Sequence, residues 1–145
     1  MSARGPGQVL FEFVRHWSRR PQTRDASDDQ GRLVLVTEAV HALTRRGTAA
    51  TVNTIAAEIG IDQSGASRLV KDATGAGYLA MQTSARDARR REAEVTATGR
   101  VMLEHAHQWQ EQIFDQLAEG WTEQQRLDFQ RSMTALIDRS HTPSA

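Results

Sequence analysis

Residues 62–96 constrain the fold more than any other part of the chain. They begin as Asp62-Gln63-Ser64-Gly65-Ala66-Ser67-Arg68-Leu69-Val70-Lys71, a helical stretch closed by Gly75-Ala76-Gly77. A period of two then takes over. In Tyr78-Leu79-Ala80-Met81-Gln82-Thr83, Leu79 and Met81 share a face, and in Glu92-Ala93-Glu94-Val95, Ala93 and Val95 do the same. Such strands lay one face on a core and leave the other wet. The connecting loop, Ser84-Ala85-Arg86-Asp87-Ala88-Arg89-Arg90-Arg91, has no apolar residue larger than Ala and carries four arginines. Upstream, Thr51 is placed to cap a short helix with Val52, Ile55, Ala56 and Ile59 pointing inward. Gly60-Ile61 makes a sharp turn, and Asp62 or Ser64 begins the next helix. A short helix, a glycine turn, a second short helix and a basic hairpin read as a winged helix-turn-helix.

The flanking segments read as helices. From Gln8, the residues Val9, Leu10, Phe13, Val14 and Trp17 fall at helical spacing, and Arg19-Arg20 before Pro21 should end that helix. Residues 1–7 read as a loose arm and 21–27 as a polar connector. Asp28 or Asp29 is the expected cap of a second helix with Leu33, Val36, Val40 and Leu43 inward, ending at Gly47. After the hairpin, Thr96 or Thr98 starts a long helix with the stripe Met102, Ala106, Trp109, Ile113 and Leu117. Gly120 breaks it. Thr122 caps a last helix with Leu127, Phe129, Met133, Leu136 and Ile137, and residues 139–145 should fray.

Composition removes several classes. Without cysteine there is no disulfide framework, thiolate metal site or cysteine redox switch. A reduced, cytoplasmic setting is the simplest expectation. No apolar run approaches a membrane span and no export signal is visible, so no membrane partner is expected. Net charge is zero over 145 residues, but residues 1–100 hold 15 Lys and Arg against 11 Asp and Glu, while residues 101–145 hold 3 against 7. The winged half is therefore basic and the C-terminal part acidic. No nucleophile elbow, P-loop or dinucleotide fingerprint appears, which argues against an enzyme, and no cofactor is expected.

The chemistry that remains is nucleic-acid recognition. Gln63, Ser64, Ser67, Arg68 and Lys71 share the outer face of the second short helix, while Leu69 and Val70 point to the core. Gln and Arg can read adenine and guanine edges bidentately, and Ser and Lys suit phosphates. At the hairpin tip, Arg89 is the candidate for the minor groove, with Asp87 setting its aim by accepting hydrogen bonds from Arg89 or the loop backbone. Arg86, Arg90 and Arg91 are candidate phosphate contacts. A solvated helix face and a charged loop are the plain alternatives. Glu104, His107 and Glu111 lie on one helix face, but with no HExxH pattern no metal site is assigned. Phe11, Phe13, Trp17, Trp109, Phe114, Trp121 and Phe129, most of the aromatic residues, fall in the first and the last two helical segments. Helices peripheral to a winged domain do not need such surfaces. A shared homodimer interface accounts for them.

The chain resembles the MarR family of bacterial transcriptional regulators. Ile61 to Val70 is similar to that family's recognition helix, and Gly77-Tyr78-Leu79 to the start of its wing. Asp87-Ala88-Arg89-Arg90, followed by Val95-Thr96-Ala97-Thr98-Gly99-Arg100, resembles its Asp-x-Arg wing and Thr-x-x-Gly-Arg helix start. Ala88, Ala73 and the internal Gly65 depart from the family pattern. Gly65 implies a pliant recognition helix, because an internal glycine costs about 0.5–1 kcal/mol relative to Ala. The resemblance implies one MarR-like domain over 1–145: a mainly α fold with a small β-wing, a winged lobe at 28–96, and dimerisation helices at 8–20 and 97–138. It implies a homodimer on pseudo-palindromic double-stranded DNA, more often a repressor than an activator. It also implies a small, often aromatic effector held between the first, second and fifth helices. Trp17, Val36, Val40, His41 and Trp109 are candidate contacts there, each equally an ordinary core position. The alternative is a winged-helix adaptor that binds proteins rather than DNA.

Overall fold

A computed structural model describes residues 3–18 and 26–142, with side chains in the second stretch described from Asp29 onward. Six helices and one hairpin follow in the order α1 (Pro6–Ser18), α2 (Ala26–Arg45), α3 (Val52–Ile59), α4 (Gln63–Gly75), β1 (Leu79–Thr83), β2 (Arg91–Val95), α5 (Ala97–Leu117) and α6 (Glu123–His141). The fold is mainly helical, with a two-stranded antiparallel wing. The chain divides into two compact units, one through Leu103 and one from Glu104 onward, so the boundary falls inside α5. No helix among the described residues is long and apolar enough to cross a membrane.

The first unit has its core where α2, α3, α4 and the hairpin meet. Val36, Val40, Leu43, Ile55, Ala66, Leu69, Val70, Ala73, Leu79 and Ala93 are buried in it. The inward positions expected on α2, α3 and α4 are therefore the ones used, with Leu33, Val52 and Ile59 half-buried at the margin. Ala73, where the family pattern has a larger residue, is fully buried and packs as a small core residue. Leu79 pairs with Val95 and Met81 with Ala93, so the apolar face of the wing lies on the helices. One further bond is not legible in the sequence: the Ala93 amide donates to the Ala50 carbonyl at 2.8 Å, tying β2 to the extended residues before α3.

Several boundaries differ from expectation, each for a local reason. α1 starts at Pro6 rather than Gln8, because proline's fixed φ and missing N–H suit a first helical turn. The expected stop at Arg19-Arg20 lies outside the described residues. α2 already begins at Ala26, so neither Asp28 nor Asp29 is its cap. α6 runs on to His141, past the fraying expected from 139, with Thr142 as its C-cap. Of the two expected starts of α5, Thr96 is the one used: its hydroxyl accepts from the Gly99 amide at 3.0 Å.

The second unit is the end of α5 with α6. Gly120, at a φ of 86°, makes the turn, and Thr122 caps α6 in a reciprocal box with Gln125. Phe114 stacks on Phe129 at 5.2 Å, and Trp121 meets both rings edge-on. Arg126 fastens the hairpin: it lies 5.6 Å from the Phe114 centroid, donates to Asp115 at 2.6 Å, and reaches the Ala118 carbonyl at 3.2 Å.

Candidate nucleic-acid interface

The candidate site is built on a helix whose start is tightly specified. Gly60 ends α3 in the left-handed conformation, and the amides of Gly60 and Ile61 both return to the Ala56 carbonyl. Asp62 is then extended and its Oδ1 accepts from the Gly65 amide at 2.9 Å, capping α4. The turn between the helices is three residues long. With Ala66, Leu69, Val70 and Ala73 buried, helical periodicity leaves Gln63, Ser64, Ser67, Arg68 and Lys71 exposed on the opposite face. Four of these, Gln63, Ser64, Ser67 and Arg68, line an open concavity of about 590 Å³ together with Val52 from α3. Spacing alone assigns Val52 to the core and does not reveal this second surface.

Gly65 has a steric role that the sequence does not show. It sits in the first turn, where a Cβ would lie 2.7 Å from Asp62 Oδ1. The missing side chain leaves room for the capping carboxylate.

The wing tip is organised by its own backbone. The Ser84 amide donates to the Arg90 carbonyl at 2.8 Å, and the Arg90 amide to the Asp87 carbonyl at 3.0 Å. Asp87 Oδ1 accepts from the Arg89 amide at 3.0 Å, so of the two arrangements expected of Asp87 the backbone contact is observed. This is an Asx-type turn, in which a short carboxylate replaces a backbone acceptor. The side chains of Arg86, Arg89, Arg90 and Arg91 are exposed. Arg86 and Arg90 also line a cleft of about 750 Å³ between the wing and residues 47–50.

The wing is seated on the start of α5. Thr96 donates its amide to the Tyr78 carbonyl at 3.0 Å and its hydroxyl to the Gly77 carbonyl at 2.6 Å. Gly99 is buried, and a Cβ there would lie 2.3 Å from the Tyr78 carbonyl oxygen. Elsewhere in the lobe, an ion pair between Arg46 and Glu58 joins the end of α2 to α3. Neither the Gly99 seat nor this pair can be read from spacing, since both join residues distant in sequence.

Residues 35–90 match the MarR family model. The winged lobe is similar to the MarR family over that segment. The fold extends beyond the matched segment. The crystal structure of MarR is similar over 97% of this chain and 94% of that one, with a TM-score of 0.64 and 19% identity. The S. aureus MepR–DNA complex is similar over 92% and 98%, with a TM-score of 0.54 and 15% identity. Bordetella bronchiseptica BpsR, solved in connection with regulation of its DNA binding by 6-hydroxynicotinic acid, is similar over 90% and 96%, at 0.55 and 22%. No curated protein matches the chain in sequence. The chain thus has the fold of MarR-family transcriptional regulators, with the matched segment spanning α3, α4 and most of the wing.

The expected effector residues divide between the two units. Val36 and Val40 have no exposed surface and pack in the core of the winged unit. Trp17 and His41 are half-buried in the same unit, and Trp109, in the other, is 55% exposed. Among the described residues, Glu104, His107 and Glu111 included, no three His, Asp or Glu side chains could hold a metal ion.

Proposed function

We propose that the chain is a sequence-specific DNA-binding transcriptional regulator acting as a homodimer. One observation carries the reading: a single compact unit holds both the polar face of α4 and a hairpin tip of exposed guanidinium groups on an Asp87-fixed turn. Gln63 and Arg68 are suited to base edges in the major groove, and Ser64, Ser67 and Lys71 to phosphates and adaptable contacts. Arg89 is assigned to the minor groove, where arginine meets the most negative potential. Arg86, Arg90 and Arg91 are assigned to the flanking phosphates.

The homodimer reading is supported by uncovered apolar surface. No residue of α1 or α6 is buried, and Phe11, Phe13, Val14, Leu136 and Ile137 are among the large exposed side chains. On each helix, exposed large apolar side chains of this kind suit an interaction site. A second copy would cover it and present two recognition helices to half-sites about one DNA turn apart. Repression relieved by a small, aromatic ligand is the proposed mode, in line with the DNA complex of MepR and the ligand-regulated BpsR. Of the candidate contacts in the winged unit, Trp17 and His41 keep surface that a ligand can touch, and Val36 and Val40 would become accessible only if the core opened; Trp109, in the other unit, is exposed.

Titration of the DNA flanking the protein's own coding region, at several salt concentrations, tests this reading. Binding should weaken steeply with salt. Arg89→Ala should lower affinity and reduce the log–log salt slope by about 0.9 for each phosphate that the arginine neutralises. No binding to any duplex in dilute buffer would refute the function and favour the adaptor reading. Unchanged affinity and slope in Arg89→Ala would remove that residue from the interface.

A further inference from the structure

One group on the α4 surface is left without a task by polar readout. Val52 is the first residue of α3, half-exposed, and the other four residues lining its concavity are polar. It is held in place from three sides. Its inner surface packs on the core. The Thr51–Thr54 capping box and the 2.6 Å bond from the Thr54 hydroxyl to the Ala49 carbonyl fix the turn it stands on. As a β-branched residue it has little χ1 freedom in a helix. On the facing side, the Asp62 cap fixes where Gln63 and Ser64 begin. The result is a stiff apolar group set among hydrogen-bonding side chains, on a surface assigned to the major groove.

The major-groove edge of DNA offers one apolar feature, the C5-methyl of thymine. We propose that Val52 is a specificity-determining residue that recognises a thymine methyl in each half-site, beside the bases read from α4. This rests on the DNA-binding reading of the same surface. It adds a selective element that the polar residues do not supply: Gln, Ser and Arg can satisfy donors and acceptors, but they gain nothing from a methyl group. A cytosine at that position would present an amino donor to the valine with no acceptor and forfeit the apolar contact.

Deoxyuridine removes this one methyl and leaves base pairing intact, so it isolates the interaction. The experiment uses an operator selected by the full-length protein from random duplex, with each thymine replaced in turn by deoxyuridine. Affinities are measured for the wild type, Val52→Ala and Val52→Thr, with folding checked by circular dichroism. At one position per half-site the wild type should lose about fourfold in affinity, the effect of roughly one methyl-sized apolar contact. Val52→Ala should bind the thymine operator less well and be indifferent to deoxyuridine at that position, the non-additivity expected of a direct contact. Equal deoxyuridine penalties in the wild type and both variants would overturn the assignment while leaving DNA binding intact. So would a wild type indifferent to every replacement, a result that needs no folded variant. Failure of the wild type to select any duplex would instead overturn the DNA-binding reading itself.

Discussion

Among the glycines of the winged lobe, Gly99 leaves the least room for a Cβ, and it yields the sharpest prediction. A Cβ there would lie 2.3 Å from the Tyr78 carbonyl oxygen, 3.1 Å from its carbonyl carbon and 2.9 Å from Val95 Cγ1. Two of these atoms are backbone, so relief requires moving the start of α5 off the wing by about 1 Å rather than turning a side chain. That shift stretches the 3.0 Å bond from the Thr96 amide to the same Tyr78 carbonyl. Overpacking of this kind costs about 1–3 kcal/mol. Weakening the hydrogen bond adds about 0.5–1.5 kcal/mol. Alanine's better helix propensity returns at most about 1 kcal/mol. We therefore predict that Gly99→Ala destabilises the protein by about 0.5–4.5 kcal/mol. Gly31, in α2 with nothing within 4 Å of its would-be Cβ, is the internal control. The same substitution there should stabilise by about 0.5–1 kcal/mol. Urea unfolding followed by circular dichroism, at one fixed protein concentration, measures both. If the two variants shift the midpoint in the same direction, the account of the α5 seat is wrong.

Thr51→Ala should destabilise by about 1 kcal/mol through loss of the α3 capping box, read as a lower urea midpoint with unchanged slope. Gly65→Ala should gain no stability despite alanine's propensity, because the new methyl competes with the Asp62 carboxylate for the α4 cap; a clear gain in thermal midpoint would contradict this. Arg126→Ala should loosen the α5–α6 hairpin and change Trp121 fluorescence, since it removes the ion pair with Asp115, the bond to Ala118 and the ring interaction together; a spectrum identical to wild type would count against that clasp.

Local patterns make the winged lobe readable. Alternation in Leu79, Met81, Ala93 and Val95 gives the face and the pairing of the wing, because a period of two admits only one buried set. Thr51, Gly60 and Asp62 mark the helix-turn-helix since caps act within three or four residues. What cannot be read is long-range. The seat of Gly99 on Tyr78, and the bond from Ala93 to Ala50, join segments that only the folded chain brings together. Val52 is legible as a core residue but not as half-exposed beside Gln63, since a helical face predicts direction and not depth. The start of α1 escapes apolar periodicity, which begins at the first apolar residue, whereas Pro6 is a favoured opener. The apolar residues of α1 and α6 are plain in the sequence, but several of them, Phe11, Phe13, Leu136 and Ile137 included, remain exposed in this chain. A pattern says that a face wants a partner without saying which.

Thr96 bonds the start of α5 to the base of the wing. Its amide and hydroxyl hold the carbonyls of Tyr78 and Gly77, and its hydroxyl also caps α5 through the Gly99 amide. The Arg100 guanidinium adds a bond to the Val95 carbonyl at 3.2 Å. The first turn of α5 and the base of the wing are therefore bonded directly to each other, whereas α4 ends at Gly75, before this joint. A ligand can change DNA binding only through unequal affinity for two arrangements, and a displacement of the start of α5 would act first on the wing. Thr96→Val keeps the side-chain shape and removes both hydroxyl bonds, leaving the buried Gly99 amide without its acceptor. We predict a loss of about 1–3 kcal/mol in urea unfolding and faster amide exchange at Gly99, with most of the loss recovered in Thr96→Ser. Thr96→Val with wild-type stability and exchange would mean that the wing is not anchored through this hydroxyl, and that its coupling to α5 rests on the Thr96 amide, the Arg100 bond and packing at Gly99.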